Sequence, residues 1–186
     1  MKTAFLTGIA NGFDFELARV FADNGYKVYD GGKLLENPAH IDIYIDTANY
    51  KSPDDHFSVS RDIDYDLIQE IYTANVLKTI EMYEELFPLV EKGELKRYCF
   101  ITSVKRTGYG YNMSKAGLHN FLQIIKNKLM PEGFTFRAFD PSSGELPDEA
   151  ASKSAFNYFT RRRGIEGRDD EPNLVIRDAF GKQHGW

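Results

Sequence analysis

The sequence predicts an α/β protein: a doubly wound parallel sheet of about six strands in a single domain. Three observations carry that expectation. The chain opens as strand, glycine turn and helix. Short β-rich apolar runs then alternate with stretches of helical periodicity as far as the C-terminus. Finally, 186 residues that are 42% hydrophobic and 27% charged suffice for one real core.

Lys2 to Leu6 reads as a buried strand closed by Thr7-Gly8. Residues 9–25 place Phe13, Leu17, Val20 and Phe21 at helical spacing and stop at Asn24-Gly25, a helix-ending pair. Gly8 and Gly12 bracket the turn between them. Missing side chains there let the backbone approach a pyrophosphate, which the helix amides would bind. A plain tight turn would carry the same glycines. Tyr26 to Asp30 is a second strand, closed by Gly31-Gly32. Asp30 lies close to the roughly 20-residue offset from the glycine turn at which a carboxylate binds a ribose, and it equally suits a turn before two glycines.

Ile41 to Thr47 is the third strand, and residues 50–63 are polar and irregular. Residues 64–89 give one long amphipathic helix, or two in sequence, with Leu67, Ile71, Val76, Ile80, Tyr83, Leu86 and Phe87 at helical spacing. Asn75 interrupts it; a mid-helix asparagine is mildly unfavourable, and exposure on the surface is the simplest reason for one. Tyr98 to Ser103 is the next strand. Tyr111 and Lys115 then stand four apart at the start of a helix, hence on one face. An ammonium beside a phenol favours the phenolate and draws its pKa down from about 10. With Ser103 facing the same spot, the pair is a candidate general acid/base.

That helix ends near residues 130–133, and Phe134 to Phe139 alternates as a fifth strand ended by Asp140-Pro141. A helix is expected over 147–163, its Arg161-Arg162-Arg163 end solvated, and Leu174 to Arg177 forms the sixth strand. Residues 145–172 thus make a short helical segment on the substrate side, and 173–186 a C-terminal strand and tail. The glycine turn, Asp46-Thr47, Ser103 and Pro141 all follow strands, so they converge on one edge of the sheet.

A net charge of −5 provides no basic field for nucleic acid. No run approaches the roughly 18 apolar residues of a membrane span. The single cysteine, Cys99, lies in an apolar strand and suits a packed thiol in a reducing cytoplasm.

Taken together, these residues resemble the short-chain dehydrogenase/reductase family, whose fold is Rossmann-like. Thr7 to Phe13 (TGIANGF) resembles its TGxxxGxG nucleotide turn, and Ile45 to Asn49 (IDTAN) stands where the family carries NNAG. Asn75 matches the helix asparagine, Ser103 the strand serine, Tyr111 and Lys115 the YxxxK pair, and DPSSGE around Pro141 the Pro-Gly motif. The resemblance covers most of residues 1–145. It implies an oxidoreductase that moves a hydride between a nicotinamide cofactor and a small alcohol or carbonyl.

By the same resemblance Tyr111 would exchange the proton at the substrate oxygen. Lys115 would lower its pKa and bind the nicotinamide ribose, Ser103 would polarise the carbonyl, and Asn75 would hold a water by kinking its helix. Thr7, Gly8, Asn11, Gly12, Phe13, Asp30, Thr47, Ala48, Lys115 and Pro141 would contact the cofactor. Asp30 leans towards NAD, since a carboxylate accepts a 2′-hydroxyl and repels a 2′-phosphate, while Lys33 would serve NADP. A homo-oligomer paired through the Asn75 and Tyr111 helices is expected.

The departures are Asp14 at the third glycine, Asp46-Thr47-Ala48-Asn49 without the NNAG glycine, only eight residues from Ser103 to Tyr111, and a shortened segment after the second strand. They keep open a second reading, a catalytically degenerate nucleotide-binding or regulatory module. A sugar epimerase or dehydratase, which also uses a Tyr/Lys pair, ranks third.

Overall fold

The computed structural model describes residues 1–9, 12–33, 38–57, 62–105, 107–141, 146–161 and 173–185. Their elements are β1 (Thr3–Leu6), α1 (Gly12–Asp23), β2 (Lys27–Asp30), β3 (Ile43–Asp46), α2 (Tyr65–Tyr72), a π-helical turn (Thr73–Leu77) and α3 (Lys78–Glu91). There follow β4 (Arg97–Ile101), α4 (Tyr109–Leu129), β5 (Thr135–Asp140), α5 (Asp148–Thr160), β6 (Ile176–Asp178) and β7 (Gln183–His184).

The strands form one sheet in the order β2-β1-β3-β4-β5-β6-β7, parallel except for β7. The chain runs outward from β1 to β2 and then crosses back to β3 on the other side of β1. That reversal is the switch point at which doubly wound sheets bind ligands, beyond the strands' C-terminal ends. The three-residue β6 continues to a short antiparallel β7 that the sequence does not predict; two residues are too few for a period-2 signal.

Every residue of β1, β3, β4 and β5 is buried, because helices cover both faces. Along the strands, side chains alternate between two cores. Leu6, Ile45, Cys99, Ile101 and Phe139 pack under α1 and α5 against Phe13, Leu17, Phe21, Ala155 and Phe159. Phe5, Tyr44, Tyr98, Phe100 and Phe136 pack on the other side against Leu86, Val90, Leu118 and Leu122 of α3 and α4. Each such side chain contributes about 1.5–3 kcal/mol by leaving water. The aromatics Tyr158 and Phe159 are core, with Phe156 packed against it.

The segment expected over 64–89 is two helices joined by the π-helical turn, and Asn75 sits in that turn with 0% exposure. Surface exposure is therefore the wrong reason for it; buried hydrogen bonds hold it, as shown below. Arg97 and Arg137 are buried within the sheet. Arg97 Nε donates to Thr135 Oγ1 at 2.8 Å and its Nη1 to the carbonyls of Phe159 and Arg161 at 2.5 and 2.9 Å, tying the end of α5 to β4 and β5.

Candidate active site

The switch point is stapled by two threonines. Thr47 N–H donates to Thr7 Oγ1 at 2.9 Å and Thr47 Oγ1 donates to the Gly8 carbonyl at 2.9 Å, so the ends of β1 and β3 are locked together. Among the described residues, a Cβ on Gly8 would touch only Thr47 Oγ1, at 3.8 Å, which is ordinary contact and leaves room for a ligand to approach the backbone. Gly12 opens α1, and a Cβ there would run into the carboxylate of Asp148 from the start of α5. Asp14 is buried, so the acidic replacement for the third glycine is not on the groove's surface. Phe13, expected beside the cofactor, buries its ring in the core and stacks on Phe139 at 6.3 Å, while its backbone lies in the first turn of α1. Asp30 ends β2 and accepts the Gly32 N–H at 3.0 Å. Pro141 follows β5 and is half-buried. Asn11 and Ser142–Gly144 lie outside the described residues, as do Arg162, Arg163 and the Lys33 side chain.

Tyr111 sits in the first turn of α4, and the turn is fixed from outside. Asp55 accepts the Gly110 N–H at 2.9 Å and the Tyr111 N–H at 2.8 Å, satisfying two of the helix's free donors with a charge suited to its N-terminus. The eight-residue spacing is enough: Ser103 reaches the Tyr111 phenol with a hydrogen bond. Lys115 follows one turn on, with Nζ 5.5 Å from the centre of the Tyr111 ring and donating to the Ala48 carbonyl at 2.9 Å. Ala48 N–H in turn donates to Asp46 at 2.8 Å.

The electrostatics correct one expectation. Burial pushes the Tyr111 phenol above its ordinary pKa and nearby Asp140 adds to this, while the Ser103 hydrogen bond offsets part of it. Lys115 does not pull it down. Burial instead lowers the lysine itself to about 8, against the attraction of Asp46 and Asp140 and with Lys51 adding repulsion. Desolvation outweighs the cation because Tyr111 is only 1% exposed.

Asn75 joins the site without a free amide. Its Oδ1 accepts the Tyr50 N–H at 2.7 Å, and its Nδ2 donates to the Tyr50 carbonyl at 2.9 Å and to Ser114 Oγ at 3.0 Å. Ser114 Oγ donates on to the Tyr111 carbonyl at 2.7 Å. The side chain thus clamps the backbone next to Tyr111.

Four residues that spacing did not single out complete the site. Asn49 Oδ1 accepts the Tyr111 hydroxyl at 2.6 Å, and Lys51 Nζ lies 4.7 Å from the same ring's centre. Asp140 accepts the Val104 N–H at 2.6 Å, holding the loop that follows Ser103. His119, one turn beyond Lys115, bonds Thr102 Oγ1 through Nε2 at 2.9 Å. A cavity of about 960 Å³ opens beside them, lined by Ser103, Lys105, Asn112, Lys115 and His119 among others.

No family model matches the chain. It is 34% identical over 122 residues to an uncharacterized oxidoreductase of Schizosaccharomyces pombe, covering 60% of this chain and 42% of that protein. It is 31% identical over 139 residues to the C-signal protein of Myxococcus xanthus, covering 67% of this chain and 82% of the relative. A Burkholderia multivorans short-chain dehydrogenase/reductase, solved with bound NADP, superposes with a TM-score of 0.77 at 14% identity over 100% of both chains. The chain belongs to the short-chain dehydrogenase/reductase family. It spans less than half the length of the fission-yeast relative. Of the four residues expected from the resemblance, Ser103, Tyr111 and Lys115 lie together beyond the C-terminal ends of β3 and β4, and Asn75 reaches them through Ser114 and Tyr50.

Proposed function

We propose that this short-chain dehydrogenase/reductase is an NAD(P)-dependent oxidoreductase that interconverts a small carbonyl compound and its alcohol, with Tyr111 as the acid/base. The observation that carries the reading is the buried Tyr111 phenol, with the Ser103 hydroxyl in reach and Lys115 Nζ 5.5 Å from its ring centre; burial favours the protonated form. A protonated phenol is the form that donates to a carbonyl oxygen, so the site suits reduction.

The residues present fit a nicotinamide dinucleotide. Gly8 leaves the turn open, Gly12 starts a helix whose amides suit a pyrophosphate, and Asp30 ends β2 where a ribose would lie. Thr7, Gly8 and Gly12 would hold the phosphates, Asp30 the adenosine ribose in favour of NAD, and Lys115, Thr47, Ala48 and Pro141 the nicotinamide half. The carboxylate of Asp148 lies against Gly12, and as an exposed side chain it is free to swing off. The cofactor would supply or accept the hydride. Ser103 would donate to the substrate oxygen, and Tyr111 would deliver its proton there. Asn75, whose amide is fully used, would act by clamping Tyr50 rather than through that amide.

Mixing with NADH or NADPH should quench or enhance the nicotinamide fluorescence, and a carbonyl panel should include a compound that is reduced. Tyr111→Phe should keep cofactor binding and lose about 10²–10⁴-fold in turnover. A Tyr111→Phe enzyme as fast as the wild type would end the catalytic reading. The degenerate-module reading is favoured by one observation, that Asn49 and Asp148 already occupy Tyr111 and Gly12; dinucleotide binding without any turnover would support it. Pairing through the helices of Asn75 and Tyr111 draws support from exposed Leu77, Met113 and Ile124, and light scattering tests it. No helix among the described residues is long and apolar enough to cross a membrane. A cytoplasmic setting, suited to the free buried thiol of Cys99, is tested by fractionation.

A further inference from the structure

The residue that replaces the family glycine after β3 reaches the reacting group itself. Asn49 Oδ1 takes the Tyr111 hydroxyl hydrogen in a 2.6 Å bond, short for a neutral pair. The contact is built, because the flanking backbone is fixed on both polar atoms. Asn75, fully buried in the π-helical turn, holds Tyr50 N–H at 2.7 Å and Tyr50 C=O at 2.9 Å, and so sets the residues on either side of Tyr50. On one side Asn49 meets the Tyr111 hydroxyl, and on the other Lys51 lies over its ring. The chain turns next into Asp55, which caps the helix at the Tyr111 N–H. One short strap therefore touches the hydroxyl, the ring and the backbone of the same tyrosine.

We propose that Asn49 is a positioning residue for the proton of Tyr111: in the resting site its amide oxygen holds and aims that proton, and a substrate's carbonyl oxygen takes the amide's place when the reaction proceeds. This rests on the reading of Tyr111 as the acid. In the reductive direction the carbonyl carbon receives the hydride of a reduced nicotinamide. The C=O π electrons move to oxygen, the Tyr111 O–H bond breaks as that oxygen takes the proton, and the tyrosinate regains a proton from water. An acceptor on the hydroxyl stabilises the phenol over the phenolate, so the acid stays loaded between turnovers. The charged and titratable groups around Tyr111 are Asp46, Lys51 and Asp55 from the β3–α2 segment, Lys105 after β4, Lys115 and His119 on α4, and Asp140 at the end of β5. Of these groups and Asn49, Asn49 is the residue whose side chain accepts the hydroxyl's hydrogen bond.

The test reads ionisation directly and then kinetics. In the ligand-free protein with ring-¹³C tyrosine, the Tyr111 signal, assigned with Tyr111→Phe, is followed against pH. Asn49→Ala should lower its midpoint by about one pH unit, while Asn49→Asp, which keeps the acceptor and adds a charge, should raise it above the wild type. Asn75→Ala, which frees the strap, should move it in the same direction as Asn49→Ala. At pH 7, below the titration of both Lys115 and Tyr111, Asn49→Ala should lower kcat for carbonyl reduction by more than it changes the KM of the cofactor. A folded Asn49→Ala protein with an unmoved midpoint overturns the proposal, as does a moved midpoint with an unchanged kcat. Should Asn49→Ala fail to fold, Asn49→Ser and the Asn49→Asp shift carry the test. If no nicotinamide binds and no carbonyl turns over, the oxidoreductase reading fails, whereas the opposed shifts of the Ala and Asp variants would still establish Asn49 as the holder of the Tyr111 proton.

Discussion

His119 spends its Nε2 on the Thr102 hydroxyl and, buried there beside Lys115, has its pKa lowered to about 3 by desolvation first and the lysine second. The unfolded chain binds the proton more readily than the fold does. Stability therefore rises with pH between about 3 and the ordinary histidine value, and is lost as the pH falls through that window. His119→Gln, which keeps a partner for Thr102, should lessen the drop in Tm between pH 7.5 and pH 4.5; an unchanged drop would place the acid sensitivity elsewhere. The lysine has the same sign higher up, with stability gained between about 8 and its ordinary value. Asp148 presents a different case, an exposed carboxylate against Gly12 where a dinucleotide's phosphates would approach. Asp148→Ala should tighten NAD(P)H binding about three- to fivefold at low salt, with the gain shrinking as salt screens it. Titrations at two ionic strengths would check both parts. That Tyr111, Lys115 and Ser103 stand close together was legible from spacing, since i and i+4 share a helix face and a strand's end faces the ligand edge. The direction of the Tyr111 shift was not, because burial is a property of the assembled chain, and neither was Asn49, whose partner lies 62 residues away.

The α4 helix presents both Tyr111 and Lys115, and its start is held by a residue from a loop with no periodicity of its own. Asp55 supplies both oxygens to consecutive amides, and Phe57 packs edge-on against Tyr109 at 5.1 Å. Residues 50–63 therefore read as irregular in sequence although Asp55 within them is buried; a cap contributed over such a separation leaves no local signature. Asp55→Ala should cost about 1–2 kcal/mol, a fall in Tm of about 2–8 °C for a chain of this size, with a larger proportional loss in kcat than in cofactor affinity. Calorimetry and steady-state kinetics on the same preparation would separate the two. The break in the α2–α3 segment was legible in part: Asn75 marked the place, and the π-helical turn shows the reason, an amide turned inward to hold another segment.

Across the whole molecule, the doubly wound sheet was legible because parallel strands covered on both faces read as continuous apolar runs between glycine and proline turns. The polar residues within those runs were harder to place. Thr135 and Arg137 alternate with Phe134, Phe136 and Ala138 in a way that suggests a solvent face, yet all are buried. Arg97 joins two strands to the end of α5 through three acceptors, so Arg97→Met should destabilise by about 3 kcal/mol or more by stranding buried carbonyls. Denaturant unfolding should show this as a lower midpoint with an unchanged slope.

The sheet begins at β2, which has no strand on its far side among the described residues and is partly exposed along its length. A dinucleotide laid across this edge would rest its adenosine on a ledge rather than in a slot, leaving the nicotinamide half as the main grip. Reduced nicotinamide mononucleotide, a half-sized hydride donor, should then drive carbonyl reduction within about tenfold of NADH, where a fully walled groove would lose far more.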